Sequence, residues 1–416
     1  MNKNILFMMR AYNDIDHITP IIYKLNKDQP SVIITIFIYD VNETYEHDYR
    51  IQFLKTLSVN IIHVLDYIET QVFPINTYKK LIHITKNLSR FNPIRVFISR
   101  LFIIPFRKLL TKKISDLEPD EFLQTILREI PSIIVFDQGN NRFYKKLCKF
   151  SAKHGIVTVA VPHGHNTFAN EMIWTNSMEI SQHTSEIQFV FYYQYVVFEN
   201  WIIAERYKKM GLVKEKQIRV LGSSRFSDEW INKLNEILSK STLPEYPPKI
   251  LRVVFFLTKR QYNINQSEIE RSINFLSKFP DIYIIIKPHT RGKFNMSLPT
   301  NVEIVDNECH SPWLIDWADI VLFTMSSVIF DCLKKDVPTI YMKNTHSNKL
   351  LSENYFNSWE VHCRDDLRDF IWRYKNNRNT RTYLGEDRDK YCKEMLEPEG
   401  KDVLGNYVSF LKELLP

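Results

Sequence analysis

Short apolar runs along this chain end repeatedly in small polar clusters that contain glycine, histidine, serine or arginine. Only 9 glycines occur in 416 residues, so we expect glycine where the backbone turns sharply or comes close to a ligand. The clusters are DQGNN at 137–141, PHGH at 162–165, LGSSR at 221–225, KPHTRG at 287–292 and TMSSVIFD at 324–331. A strand, a polar turn and a helix start are the repeating unit of open α/β sheets, which gather ligand-binding groups at the carboxyl ends of their strands. The pattern therefore predicts an α/β enzyme with one composite cleft.

Two series of strand-like runs divide the chain into halves, separated near the proline-rich stretch STLPEYPPK at 241–249. The runs are NILFMM, SVIITIFIY, VNIIHVL, SIIVF and TVAVP in the first half, and LRVVFFL, IYIIIKP, VEIVD, DIVLF and TIYM in the second. Stretches long enough for helices separate them, which predicts parallel strands with helical crossovers. A chain of this length also exceeds what one hydrophobic core usually supports. We predict a first domain at 1–240 and a second at 241–416, with a final helix at 406–415 that can pack back on the first.

Cysteine usage and hydropathy indicate the compartment. The five cysteines lack CxxC spacing, which argues against a disulfide framework or a zinc site and favours reducing surroundings. The N-terminal run MNKNILFMMR ends at Arg10, too early for a secretion signal. No apolar stretch reaches the roughly 18 residues that a membrane-spanning helix needs. We therefore expect a cytoplasmic protein.

The net charge of +7 is concentrated in one segment, residues 74–115, which contains ten Lys or Arg and no Asp or Glu. Aromatic and aliphatic residues alternate with these cations. Such a segment suits a helix lying on an anionic membrane surface. A pair of helices with a solvated basic face explains it equally well. Nucleic acid binding is a weaker third interpretation, because no recognised binding motif accompanies the charge.

Several of the clusters together resemble a known family. PHGH, LGSSRFSDEW, TKR, KPHTRG and SSVIFDCLKKDVPTIYM follow one another within about residues 130–345. This order resembles the GT-B glycosyltransferases of bacterial surface carbohydrates, close to the CDP-glycerol glycerophosphotransferase and capsule polysaccharide transferase group. The resemblance implies an α/β fold of the GT-B type, with two Rossmann-like domains facing across a cleft. It also implies a nucleotide donor in the second half and an acceptor in the first.

His163 is the first candidate catalytic residue, because it falls just past the end of the strand-like run VAV. A histidine there can take a proton from an acceptor hydroxyl. A structural turn histidine explains an isolated PHG better, but the neighbouring motifs favour catalysis. The matching family motif is a His-Gly pair, so we place His163 with Gly164 ahead of His165.

Further acceptor-side candidates follow the first strand. They are Asp14, Asp16 and His17, which could face the acceptor, although a helix cap at Asn13 or Asp14 explains them without function. Asp137 and Asn140 in DQGNN have the same ambiguity.

The second half carries the predicted donor site. Lys287, His289 and Arg291 at the end of one strand can neutralise a diphosphate as the leaving group gains charge. The resemblance assigns His289 to the donor phosphates, which makes it the second predicted catalytic residue. A solvated loop is the alternative interpretation.

The cluster TMSSVIFD can supply backbone groups to the same donor. We expect Ser326 to cap the following helix and the amides of Ser327 and Val328 to point at an anion. Asp331, one turn further, can accept a hydrogen bond from a ribose hydroxyl. A cap without a ligand and an exposed helix carboxylate are the alternatives.

Two more motifs complete the predicted donor-binding set. Its members are Gly222, Ser223, Ser224 and Arg225 at the junction of the halves, and Thr258, Lys259 and Arg260 after the first strand of the second half. The second match is partial, because Leu257 replaces the proline of the family motif.

These observations predict a glycosyltransferase that moves a sugar from a nucleotide-activated donor to a cell-surface glycan acceptor, free or lipid-linked. We expect no cofactor, no catalytic metal and no nucleic acid partner, since cationic side chains and helix dipoles can carry the phosphate charge. Polyol-phosphate transfer of the CDP-glycerol type remains an alternative. A non-hydrolysing nucleotide-sugar epimerase is another, although its expected Ser-Gly-Gly run is replaced here by SSVIFDC. A non-catalytic assembly protein with the same fold is the third.

Overall fold

The computed structural model describes most of the chain in ordered segments. They are residues 3–69, 75–87, 93–127, 129–139, 141–169, 192–238, 250–259, 261–289, 294, 298–306, 309–356 and 359–416. The chain divides into two compact units: the first unit comprises Met1–Gly164, Phe189–Ile237 and Leu396–Pro416, and the second comprises His165–Gln188 and Leu238–Met395. The domain boundary predicted at 240/241 lies outside the described residues.

The first unit contains a seven-stranded parallel sheet. Its strands are β1 (Asn4–Met9), β2 (Ile33–Ile38), β3 (Asn60–His63), β4 (Ile133–Asp137), β5 (Val157–Val161), β6 (Tyr195–Phe198) and β7 (Ile218–Val220). Their spatial order is β3-β2-β1-β4-β5-β6-β7. The chain leaves the sheet in opposite directions from β1 and β4, so a topological switch point lies between these two strands. Ligands of open α/β sheets bind at the carboxyl ends of the strands that flank such a point.

The second unit repeats this arrangement with a five-stranded parallel sheet. Its strands are β8 (Leu251–Phe256), β9 (Ile282–Lys287), β10 (Val302–Ile304), β11 (Ile320–Phe323) and β12 (Thr339–Tyr341). The spatial order is β10-β9-β8-β11-β12, which puts a second switch point between β8 and β11.

Helices connect the strands and cover both sheets. They are α1 (Tyr12–Asp28), α2 (Tyr49–Lys55), α3 (Val64–Glu69), α4 (Ile75–Asn87), α5 (Pro93–Ile98), a π-helix (Ser99–Ile103), α6 (Ile104–Asp116), α7 (Pro119–Ile126), α8 (Arg142–Lys153), α9 (Trp201–Lys209), α10 (Asp228–Ile237), α11 (Gln266–Leu276), α12 (Ser311–Trp317), α13 (Val328–Lys334), α14 (Arg364–Asn376), α15 (Gly385–Leu396) and α16 (Val403–Glu413). Short 3₁₀ turns occur at Glu215–Gln217, Lys343–Thr345 and Leu351–Asn354. Within the described residues, no helix combines the length and apolar character that crossing a bilayer requires.

The core of the first unit explains why α1 begins where it does. All six residues of β1 are buried, as expected of a central strand of a parallel sheet covered on both faces. In α1, Ile15, Ile18 and Ile22 recur at helical spacing and pack on the sheet. The final helix α16 joins the same core through Tyr407. Burial of α1 therefore fixes its first turn at the carboxyl edge of the sheet.

The ten strand-like runs of the sequence are confirmed as β1 to β5 and β8 to β12. The predicted final helix corresponds to α16. Strands β6 and β7 were not predicted, and they are only four and three residues long. Their length alone does not explain this, since β3, β10 and β12 are equally short and were predicted.

Candidate active site

Three strand ends bring the strongest cluster of polar side chains together in the first unit. Arg10 follows β1, Asp137 is the last residue of β4, and His163 lies two residues past β5. The register pairs Met8 with Phe136 and Asp137 with Val161, so these strands end at nearly the same level. The three side chains therefore meet beside the switch point of the first sheet.

Asp14, in the first turn of α1, connects the helix to this cluster. Its side chain is fully buried, and its Oδ2 accepts hydrogen bonds from the backbone N–H groups of Arg10 at 2.8 Å and Ala11 at 2.6 Å. Its Oδ1 pairs with Nδ1 of His163. One carboxylate thus satisfies two backbone donors at the helix start and orients the imidazole. Among the described residues, Nε2 of the half-buried His163 has no hydrogen-bond partner.

Asp137 forms the second, deeper half of the cluster. It is fully buried, with Oδ2 2.8 Å from Nη2 of Arg10 and 3.9 Å from Nδ1 of His163. Burial raises the pKa of Asp137 to about 7, and repulsion from Asp14 adds to the shift, while Arg10 and His163 oppose it. The group therefore holds two carboxylates whose protonation is linked.

Gly139 explains how Asp137 reaches this position. A Cβ atom at residue 139 would lie 2.8 Å from Oδ2 of Asp137, so only glycine lets the carboxylate fold back over the turn. The rings of Tyr144 and Tyr193 lie 4.9 and 5.2 Å from that of Phe136, centroid to centroid. The hydroxyl of Tyr193 donates to the carbonyl of Gly139. This aromatic wall keeps water from Asp137 and accounts for its raised pKa.

The same cluster has the composition of a cation site. Ligand atoms of Asp14, Asp137 and His163 all lie within 4.8 Å of one another, and carboxylate oxygen with imidazole nitrogen is a common donor set for divalent metals. However, Arg10 already supplies a positive charge to Asp137. Both oxygens of Asp14 are engaged as well. A metal ion would have to displace these partners, so the arrangement suits proton transfer better than metal binding.

The LGSSR motif lies in the first unit and is engaged in its packing. Gly222 has a φ of 92°, and a Cβ there would lie 2.6 Å from the carbonyl oxygen of Leu396. The hydroxyl of buried Ser223 donates to Glu199 at 3.1 Å. Gly222 is therefore required by a close backbone approach, and Ser223 fixes the end of β7 to the end of β6.

Ser224 and Arg225 also make contacts inside the first unit. The hydroxyl of Ser224 donates to the carbonyl of His17 at 2.6 Å. Arg225 lies 3.6 Å from Asp16, which also pairs with the buried Arg50. These contacts give the motif a structural role next to α1, whereas donor binding by its residues stays a prediction.

Gly164 and His165, the two residues after His163, belong to different units. Gly164 remains with the first unit, and a Cβ there would meet only Asn13, at 3.6 Å, so its position does not demand glycine. His165 belongs to the second unit, where its ring centroid lies 4.3 Å from that of Phe330. This differs from its expected place among the acceptor-side residues, because the chain crosses between units directly after Gly164.

Polar residues also surround the switch point of the second sheet. Thr258 and Lys259 follow β8, while Ser326 and Ser327 follow β11, and β8 and β11 are neighbours. His289, half-buried, follows β9. The structure thus collects these five predicted residues at the carboxyl ends of three adjacent strands. Arg260 and Arg291 lie outside the described residues.

Lys287 and Val328 both bond groups of the second unit. Lys287 is buried, and its ammonium donates to the carbonyl of Asp306, just after β10; its contact with donor phosphate stays a prediction. Burial lowers the pKa of Lys287. The amide of Val328, expected to face an anion, donates instead to the hydroxyl of Ser326 at 3.3 Å.

The prediction that Ser326 caps this helix is wrong, because Ser327 occupies the cap position of α13 and its side chain makes no capping bond. Asp331 lies half-buried in the same helix. The helix start is therefore stabilised from within the chain.

Comparison with known proteins identifies the fold. No protein-family model and no curated protein sequence matches the chain. Solved structures do: UDP-GlcNAc 2-epimerase from Neisseria meningitidis bound to UDP-GlcNAc aligns with a TM-score of 0.57 and 12% identity over 99% of this chain and 98% of its own. The wall teichoic acid polymerase TagF aligns with a TM-score of 0.57 and 12% identity, over 99% of this chain and 89% of its own. The glycotransferase of kitacinnamycin aligns with a TM-score of 0.54 and 9% identity, over 100% of both chains. The fold is GT-B.

The GT-B fold confirms the predicted fold class, but two residues of the cluster were not selected from sequence. Arg10 was interpreted as the end of the first strand, and Asp137 was left ambiguous together with Asn140, which lies outside the described residues. Both stand at the carboxyl ends of strands that flank the switch point. Strand order, which would have singled them out, is not contained in one sequence.

The raised pKa of Asp137 predicts a pH-dependent stability. Because this pKa lies above its ordinary value of 3.8, the folded state binds an extra proton, and the stabilisation is present below about pH 4 and lost as pH rises towards 7. The Asp137→Asn variant keeps the shape without titrating. From pH 4 to 7, the free energy of unfolding of the wild type should fall relative to Asp137→Asn by a few kcal/mol.

Urea unfolding at a series of pH values measures this difference. The exposed Asp120→Asn variant serves as a control for removing one carboxylate from the first unit. A difference between wild type and Asp137→Asn that stays constant, or changes in the opposite direction, would contradict the assignment of a protonated Asp137.

Proposed function

We propose that this chain is a nucleotide-sugar-dependent glycosyltransferase that extends a cell-surface glycan such as a capsule or O-antigen. The observation that carries the proposal is the buried Asp14 bonded to His163 at the switch point of the first sheet. The GT-B fold supports it, since the neighbours are enzymes that use nucleotide-linked substrates and the Neisseria structure holds UDP-GlcNAc.

His163 acts in this proposal as the general base. Asp14 accepts the hydrogen bond from Nδ1–H, which leaves the lone pair on Nε2. Nε2 takes the proton of the acceptor hydroxyl while the acceptor oxygen bonds to the anomeric carbon and the bond to the nucleotide diphosphate breaks. The buried charge of Asp14 stabilises the imidazolium that forms. In hydrolytic triads, a buried carboxylate orients the catalytic histidine in the same way.

Arg10 and Asp137 lie next to the Asp14–His163 pair and help to position it. The guanidinium balances the second carboxylate at 2.8 Å, so Asp14 keeps its charge available for His163. Asp137 stands 3.9 Å from Nδ1 of His163, where it limits rotation of the ring. Asp137 is a positioning residue, since it is fully buried, and Arg10 acts through it by their ion pair.

The second unit carries the donor in this proposal. Thr258, Lys259 and His289 lie at strand ends around its switch point, and Ser326 and Ser327 follow the neighbouring strand β11. Hydroxyl, ammonium and imidazole groups are suited to the oxygens of a diphosphate leaving group. We propose that they carry its charge without a metal ion or a cofactor.

Polyol-phosphate transfer and sugar epimerisation are the alternatives on the same fold. A screen of UDP-, CDP- and CMP-linked donors, with and without glycan acceptors and with and without EDTA, separates the three by mass analysis. Acceptor-dependent release of nucleotide with a glycosylated product supports the proposal. A polyol phosphate on the acceptor would overturn it in favour of the first alternative, and an isomerised sugar without acceptor in favour of the second. Loss of turnover in EDTA would contradict metal independence.

Replacing the proposed base should affect turnover more than donor affinity. His163→Ala should lower kcat by about a hundredfold to ten-thousandfold, as loss of a general base does, with the donor Kd nearly unchanged. The exposed His154→Ala in the same unit is the matched control and should retain wild-type activity. Steady-state kinetics and calorimetric titration supply both quantities. Wild-type turnover in His163→Ala would end its catalytic role.

Donor binding should depend on the second unit. His289→Ala, and separately Ser326→Ala with Ser327→Ala, should each weaken nucleotide binding by about 1.5 to 3 kcal/mol through loss of charge-assisted hydrogen bonds. The control is His362→Ala, an exposed histidine of the same unit. Calorimetric titration of the nucleotide identified in the screen measures the effect. Unchanged affinity in both variants refutes a donor site in the second unit.

A further inference from the structure

Six large apolar residues are exposed on the helical segment 93–116, which comprises α5, the π-helix and α6 and is called here the docking segment. Between 38% and 60% of each side chain is accessible. They are Ile94, Val96, Phe97, Leu101, Phe102 and Leu109. Single exposed apolar residues are ordinary, but a cluster of this size indicates a surface that is covered in use.

The rest of the docking segment is anchored to the first unit. Leu110 and Ile114 of α6 are buried, and the ring of Phe106 lies 4.9 Å from that of Tyr78 on α4. Phe97 and Leu101 are four residues apart and so lie on one side of the helix. Thus α6 packs on the first unit, whereas α5 and the π-helix bury none of their residues and present apolar side chains outward.

The charge of the docking segment identifies what can cover it. Arg100, Lys108 and Lys112 are exposed, and among the described residues none of them forms an ion pair. Arg107 donates to the amide oxygen of Asn42, at 3.2 Å. No Asp or Glu occurs anywhere between residues 74 and 115. The complementary surface must therefore be both anionic and able to accept apolar side chains.

We propose that the docking segment lies on the surface of an anionic lipid bilayer. Aromatic and aliphatic side chains enter the boundary between headgroups and acyl chains, while Arg and Lys reach the phosphates with their extended stems. A second copy of the chain would present the same positive charge to itself, which opposes pairing through this face. Nucleic acid would satisfy the charge but would leave the aliphatic side chains in water.

This inference goes beyond sugar transfer and is tested without nucleotide, so its outcome is separate from that of the proposed function. The full-length protein is mixed with vesicles of phosphatidylglycerol and phosphatidylcholine or of phosphatidylcholine alone, and bound protein is measured by flotation. We expect binding to the anionic vesicles only, weakening as salt rises from about 0.05 M to about 0.5 M because charges are screened.

Two variants separate the contributions of charge and insertion. Replacing Arg100, Lys108 and Lys112 by Gln should weaken binding on the order of a hundredfold at low salt. The control replaces Lys278, Lys401 and Lys412 by Gln; these are equally exposed lysines outside the segment, and the net charge changes by the same amount. Replacing Phe97, Leu101 and Phe102 by Ser should weaken binding at least about tenfold while retaining its salt dependence.

Three outcomes would overturn the proposal. The first is wild-type protein that does not float with anionic vesicles at low salt. The second is equal loss of binding in the docking-segment and control lysine variants, which would indicate net charge alone. The third is a dimer in solution that the Ser variant dissociates, since the apolar face would then be an interface between copies. Melting curves confirm that each variant is folded before flotation.

Discussion

Asp14 holds two parts of the first unit with one carboxylate. Its Oδ2 accepts the backbone N–H groups at the start of α1, and its Oδ1 accepts the imidazole of His163 across 149 positions of sequence. A buried carboxylate is tolerated only when it is bonded in this way. The helix start, the turn after β5 and the orientation of the imidazole therefore depend on one another. Displacing α1 would leave an uncompensated buried charge and a disoriented histidine together.

The cluster holds two buried carboxylates, those of Asp14 and Asp137, close to each other. Two negative charges this close repel, and the site relieves the repulsion by placing Arg10 against Asp137 and by raising the pKa of Asp137. The raised pKa favours the protonated form of Asp137, while the neighbouring Asp14 pairs with His163. Groups whose protonation is separated by their surroundings are typical of sites that move protons. The second unit, with hydroxyl, ammonium and imidazole groups at its switch point, contains the complementary chemistry for an anion.

The sequence predicted the architecture more completely than the site. Ten strands were predicted from apolar runs bounded by polar turns. Strands of a parallel sheet are buried on both faces, so their sequences are almost continuously apolar and easy to recognise. Motif order indicated the GT-B fold and drew attention to His163. The side chains of Lys287 and Ser224 bond carbonyls of their own unit. The sequence could not show this, because a polar residue at a strand end looks the same in sequence whether its side chain faces a ligand or bonds the protein, so their donor contacts stay predictions. Asp137 needed the strand order to be recognised.

The central claim is that Asp14 holds His163 with its proton on Nδ1 and a free lone pair on Nε2. Nitrogen-15 NMR of histidine-labelled protein measures this tautomer directly, with the His163 signals assigned by their loss in His163→Ala. We expect the Nδ1–H form for the neutral ring in the wild type and a mixture of both tautomers in Asp14→Ala, because the orienting acceptor is gone. A neutral His163 that carries its proton on Nε2 in the wild type, or a tautomer unaffected by Asp14→Ala, would contradict the role of this pair.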